Sequence, residues 1–173
     1  MPVPSTIPTA SNSANWGLGL NTRSTFQVGT FGQTGLAAGE ADGVLTLDAL
    51  QYAPDKAAAC REFARILKPG KRLAFMAFEV TAERVADLPV LRDDPVSNYT
   101  TLLNYAGFDI HTYEETPYWN ERVTAAFQAI IDNAATLETE MGAAAYGALS
   151  LEASLTLEAR PYRRRVRVVA TRR

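Results

Sequence analysis

The 173-residue sequence holds one cysteine, Cys60, and one histidine, His111. A lone cysteine excludes an internal disulfide framework, and a zinc constellation needs about four Cys, His or carboxylate ligands, so neither staple is expected. Charge of one sign is missing too: 17 Lys and Arg stand against 19 Asp and Glu, a formal net charge of -2. Nucleic-acid-binding domains usually carry a basic excess, which argues against such a partner. No run of about 18 apolar residues, the least that spans a bilayer, occurs in the chain. Met1 to Asn15 carry no basic cluster and no apolar stretch, so they do not read as a secretory signal, and a cytoplasmic chain is expected.

The rest of the composition is that of a globular chain, 47% hydrophobic and 21% charged, of a length that suits one domain. Met1 to Asn15, with three prolines, read as a flexible arm, which leaves 16–173 as the domain. Between Trp16 and Gly43 lie seven of the eleven glycines, so turns are expected there around one short strand candidate, Thr25 to Val28. Gly43 to Asp48 reads as a strand buried on both faces of a parallel sheet. From Asp55 to Leu67, apolar Ala59, Cys60, Phe63, Ile66 and Leu67 fall three and four apart, the stripe of a helix lying on that sheet. Lys68-Pro69-Gly70 stops the helix, and Arg72 to Val80 reads as the next strand, completing a βαβ crossover that should be right-handed.

Further on, Asp93-Asp94-Pro95 predicts the cap of a helix running to about Ala106. Phe108 to Tyr113 reads as a strand, with Tyr105, Phe108 and Ile110 in the core. Trp119 to about Met141 reads as a long helical region with Val123, Phe127, Ile130, Ile131 and Leu137 as its apolar positions. Val166 to Ala170 reads as the last strand. The final fourteen residues contain seven arginines, but alternating valines make them strand ends with charged flanks rather than a phosphate-binding surface.

Two segments carry a resemblance. Asp42-Gly-Val-Leu-Thr-Leu-Asp-Ala-Leu-Gln-Tyr-Ala-Pro-Asp55, followed by Glu62-Phe-Ala-Arg-Ile-Leu-Lys-Pro-Gly-Lys-Arg-Leu-Ala74, resembles the fourth and fifth strand motifs of class I S-adenosylmethionine-dependent methyltransferases of the small-molecule, type 11 group. The resemblance implies an α/β, truncated Rossmann-like fold, mostly parallel with an antiparallel final strand, covering about residues 16 to 173. It implies S-adenosylmethionine as cofactor and a small molecule as methyl acceptor. Cofactor contacts would fall on Gly29, Thr30 and Phe31, matching the end of the family's third strand, and on Asp48, Ala49 and Leu50 after the fourth. Gln51, Tyr52 and Trp119 would face the acceptor.

The family's glycine-rich loop and its ribose-binding carboxylate have no counterpart, since Gly17-Leu-Gly19 lacks both a preceding apolar strand and a third glycine. Thr30 stands where the family has an adenine-binding aspartate. Impaired cofactor binding follows. Without the family's first two strands, the Val44 to Leu47 strand becomes an edge that invites pairing, through which a homo-oligomer or a partner chain could join. Two repairs are open: the Phe26 segment pairs with it, or a second polypeptide does.

No nucleophile and base stand together, so no catalytic residue is named, and methyl transfer from a sulfonium can rest on proximity and orientation alone. Asp48 and Gln51 have a plain alternative, closing the strand and capping the next helix together with Asp55. Asp42 reads as a turn residue, His111 as a structural histidine and Cys60 as a buried thiol. Tyr113, Tyr118 and Trp119 read either as an aromatic lid or as core packing. Three functions remain open: a methyltransferase-family chain without its cofactor half, a non-catalytic interaction module, and an enzyme with an unusual cofactor loop.

Overall fold

The computed structural model describes residues 23–81 and 95–173. The arm, the Gly17-Leu-Gly19 pair and the Asp93-Asp94 cap lie outside the described residues. Four strands, β1 (Ala41–Leu47), β2 (Leu67–Val80), β3 (Phe108–Glu115) and β4 (Arg163–Arg172), form one sheet in the order β1-β2-β4-β3. β1 and β2 run parallel, and β4 lies antiparallel to both β2 and β3, so three strands share one direction and the final strand opposes them. The helices are α1 (Lys56–Ile66), α2 (Thr100–Ala106), α3 (Trp119–Asp132), α4 (Ala134–Met141) and α5 (Ala143–Ala159).

Helix α1 forms where its stripe predicts. Asp55 caps it by accepting from the Ala58 N–H at 2.7 Å, and Ala59, Cys60, Phe63 and Ile66 are buried. Burial pushes the Cys60 thiol up to about 12, which keeps it protonated and inert. Leu73, Phe75 and Ala77 of β2 face Ala170, Val168 and Val166 of β4, and all six are buried on the same side of the sheet. The Tyr99 ring closes that side, 5.3 Å edge-on from Phe75. Alternation along each strand sends the intervening residues to the opposite face.

Several expectations give way. Thr25 to Val28 forms no strand; Phe26 and Val28 are exposed, and the segment ends in a turn where the Thr30 and Gln33 backbones bond each other at 2.9 and 3.1 Å. The Phe26 repair is therefore not made, and among the described residues β1 pairs only with β2. Nor is β1 buried on both faces, since Leu45 is 68% and Leu47 54% exposed. β2 starts at Leu67, and the Pro69-Gly70 turn is looped out as a bulge with Gly70 at φ +74. Asp42 lies in β1, where its carboxylate takes Lys68 at 2.8 Å and Lys71 at 3.4 Å.

The expected 119–141 helix breaks at Asn133, and Gly142 at φ +87 ends its second piece. α5 then follows; its alanine-rich sequence favours a helix but has no apolar stripe to announce it. Tyr105 is 88% exposed rather than core, because it lies on the outer side of the short helix α2. Phe108 is buried as expected, and Ile110 packs against the core.

Candidate functional site

Parallel strands aim their carboxyl ends at one edge of a sheet, and there α/β proteins place ligands. β1 ends at Leu47, and beside that end a cavity of about 790 Å³ opens between the sheet and the α3 and α5 helices. Asp48, Gln51, Tyr52 and Trp119 line it, so four of the nine candidate residues meet in one place.

Asp48 is locked. Its φ of +50 is a left-handed conformation uncommon for residues other than glycine, though aspartate tolerates it better than most. Its bonds hold it there: its N–H donates to the Met76 carbonyl at 2.9 Å, its carbonyl accepts from Gln51 Nε2 at 2.6 Å, and its carboxylate takes Arg165 through Nε at 2.8 Å and Nη2 at 2.6 Å. Arg165 is held more firmly protonated by that carboxylate. Asp48 and Gln51 thus do close the strand, and Asp55 alone caps α1. The other non-glycine residue with positive φ among those described, Tyr118 at +55, directly precedes Trp119, so both such positions adjoin the cavity.

Trp119 is buried, with Nε1 donating to Glu115 at 2.6 Å and its ring edge-on to Phe78 at 5.6 Å. It packs into the core and also lines the cavity. Tyr118 is exposed, and the Tyr113 hydroxyl is taken up by Glu79 and by the Tyr99 N–H, so neither forms a lid. Burial and the Glu79 carboxylate raise the Tyr113 pKa. His111 is exposed and bonds Thr171 at 2.7 Å, a structural contact away from the cavity.

The remaining candidates sit elsewhere. Gly29, Thr30 and Phe31 do not line the cavity; Phe31 packs edge-on against Phe63 of α1 at 6.3 Å. A Cβ on Gly29 would meet the Thr34 carbonyl oxygen at 2.8 Å, so the glycine serves its own turn. Leu50 is fully buried in the core, and Ala49 is half-buried beside it.

Sequence reasoning missed much of the remaining wall, including Phe78, Val80, Arg122, Arg163 and Thr116. Three polar atoms of lining residues, Gln51 Oε1, Thr116 Oγ1 and Arg163 Nε, are buried with no hydrogen-bond partner among the described residues. Such groups are rare in a folded protein and mark a site that something polar completes. The only signal for Arg163 was its place in an arginine-rich terminus, which alternation alone could have assigned to the cavity face.

A family model described as a methyltransferase domain matches residues 5–75. The fold is similar to that of a Galdieria sulphuraria protein named provisionally as a sarcosine dimethylglycine methyltransferase, with a TM-score of 0.77 and 16% identity over 92% of this chain and 62% of that one. This is a class I methyltransferase fold. Other proteins share the methyltransferase fold. One is the 4+2 cyclase SpnF, with a TM-score of 0.68 and 18% identity over 94% of this chain and 61% of that one. A second is Haemonchus contortus phosphoethanolamine N-methyltransferase 2, solved with phosphomonomethylethanolamine and S-adenosylhomocysteine, with a TM-score of 0.66 and 20% identity over 82% of this chain and 36% of that one. No curated protein matches the sequence. The chain thus spans less than two thirds of each of these structures. A cyclase among them shows that the fold leaves the reaction open.

S-adenosylmethionine, the cofactor the resemblance implies, does not fit the described residues by themselves. The Asp48 carboxylate is engaged by Arg165, the space above Gly29 is filled by Thr34, and Leu50 is turned into the core. Among the described residues no group of His, Cys, Asp and Glu could hold a metal ion, and no helix is long and apolar enough to cross a membrane.

Proposed function

We propose that the chain is a methyltransferase-family protein acting on a small molecule, with cofactor binding impaired by the absence of the glycine loop and the ribose carboxylate. The observation that carries this reading is the cavity at the carboxyl end of β1, where Gln51, Tyr52 and Trp119 surround a space of small-molecule size. Asp48 and its Arg165 clamp fix the loop that presents Gln51 to that space. The neighbours named above that carry methyl acceptors in their names act on small molecules, which supports the same class here.

Thermal melting of the chain with S-adenosylhomocysteine tests the reading. At about 1 mM ligand, a dissociation constant weaker than about 100 μM gives less than about 1.4 kcal/mol of stabilisation. A larger shift would mean an intact cofactor site and sink the impairment. A second reading, a non-catalytic module that pairs with another chain, is favoured by the exposed Leu45 and Leu47 on an edge strand. Concentration-dependent dimerisation on a sizing column would support it, and a monomer at all concentrations would remove it.

A further inference from the structure

Strand β4 carries a run of arginines whose fates differ. Arg164 pairs with the buried Glu79 carboxylate at 2.6 Å, Arg165 is clamped by Asp48, and Arg167 takes Glu114. Arg163, the first residue of the strand, lines the cavity, and it has no carboxylate partner among the described residues. Its guanidinium lies over the Phe78 ring, 5.5 Å from the centroid, and its Nε is buried without a hydrogen bond among the described residues. Burial lowers its pKa from the ordinary value, which expresses the same lack of a counter-charge.

The surroundings extend this asymmetry. Among the described residues four cations line the cavity, Lys56, Arg122, Arg163 and Arg165, with two carboxylates, Asp48 and Glu152. Asp48 is consumed by Arg165, and Lys56 donates to the Ala53 carbonyl at 3.0 Å. Arg122 and Arg163 are left facing the space with Glu152, which forms no ion pair with either among the described residues. The Thr116 hydroxyl, unpartnered and on the same wall, adds a donor. Apolar lining completes the space: Val80, the cross-strand neighbour of Arg163, with Val96, Trp119 and Phe127.

A guanidinium held in an apolar wall is stabilised by an oxyanion that it can meet with two parallel hydrogen bonds. We infer that the cavity takes a small molecule with an apolar body and one oxyanion group, carboxylate or phosphate, the oxyanion seated on Arg163 and the body against Trp119 and Val80. The inference rests on the cavity being the acceptor site and specifies the class of acceptor.

The test needs no cofactor, so it stands or falls separately from the cofactor reading. The full chain is titrated with octanoate, octyl phosphate and neutral octanol, which share one apolar body. At least one anion should bind about tenfold more tightly than octanol, the size of one charge-assisted hydrogen bond, and the better anion identifies the group. Arg163→Gln should abolish that preference, bringing anion binding down to the level of octanol on the same variant. Arg173→Gln, at the opposite end of β4, should keep it, and melting curves check that both variants fold. Equal binding of anion and alcohol to the wild-type chain, no binding of either anion at millimolar concentration, or a preference that survives in Arg163→Gln would each overturn the inference.

Discussion

The two faces of the sheet are built from the same strands and behave as different materials. On one face Leu73, Phe75, Ala77, Val166, Val168 and Ala170 are buried beneath α1 and α2. On the other, their neighbours Met76, Phe78, Arg163, Arg165 and Arg167 are partly exposed, ion-paired or aimed into the cavity, and Leu45 and Leu47 stand open at the edge. One face supplies stability and the other chemistry. The period of two along β4, valine then arginine, is what separates them.

The largest expected effect breaks the covered face. Phe75→Ala removes a ring packed on Tyr99 and should cost about 3 to 5 kcal/mol in denaturant unfolding. Met76→Ala, one residue along and half-buried on the other face, should cost well under half of that. Equal losses would mean that the faces do not differ as described.

A smaller effect comes from the helix that covers the first face. Glu62 accepts the Thr34 N–H at 2.8 Å, the Thr34 hydroxyl at 2.6 Å and Arg65 at 2.6 Å. The Arg65 bond, with Thr34, holds its pKa down to about 2 from the ordinary 4.5. A carboxyl depressed in the folded state stabilises above its unfolded pKa and loses that contribution as pH falls through its folded one. Melting temperature should therefore drop between about pH 4.5 and pH 2 more steeply in the wild-type chain than in Glu62→Gln.

On the open face, Asp48→Ala frees Arg165 and should cost only about 1 kcal/mol, since the pair is partly exposed. It should also loosen the 48–52 loop, read as faster amide exchange at Tyr52 and Ala53. The smallest effect belongs to the edge. Leu45→Lys should change stability by no more than about 0.5 kcal/mol, and it should suppress any self-association seen on a sizing column.

Helix α1 and the alternation of β2 and β4 were legible because a stripe or a period of two is written locally in the residues. The antiparallel last strand and the edge position of β1 followed from the resemblance. The Asp48–Arg165 clamp was not legible, because it joins residues 117 apart and exists only once β4 lies beside β2. Helix α5 was missed because its apolar residues are scattered around the helix and form no stripe. Arg163 was hidden among charges that read as solvated strand ends, whereas most of them meet carboxylates or carbonyls.

The most direct test is a calorimetric titration of the folded, monodisperse 173-residue chain with S-adenosylhomocysteine. No binding tighter than about 100 μM, or roughly 5.5 kcal/mol, is predicted, because the residues that would grip the cofactor are absent or already engaged. Tighter binding with a stoichiometry near one would contradict the account and show that this chain rebuilds the cofactor site by other means.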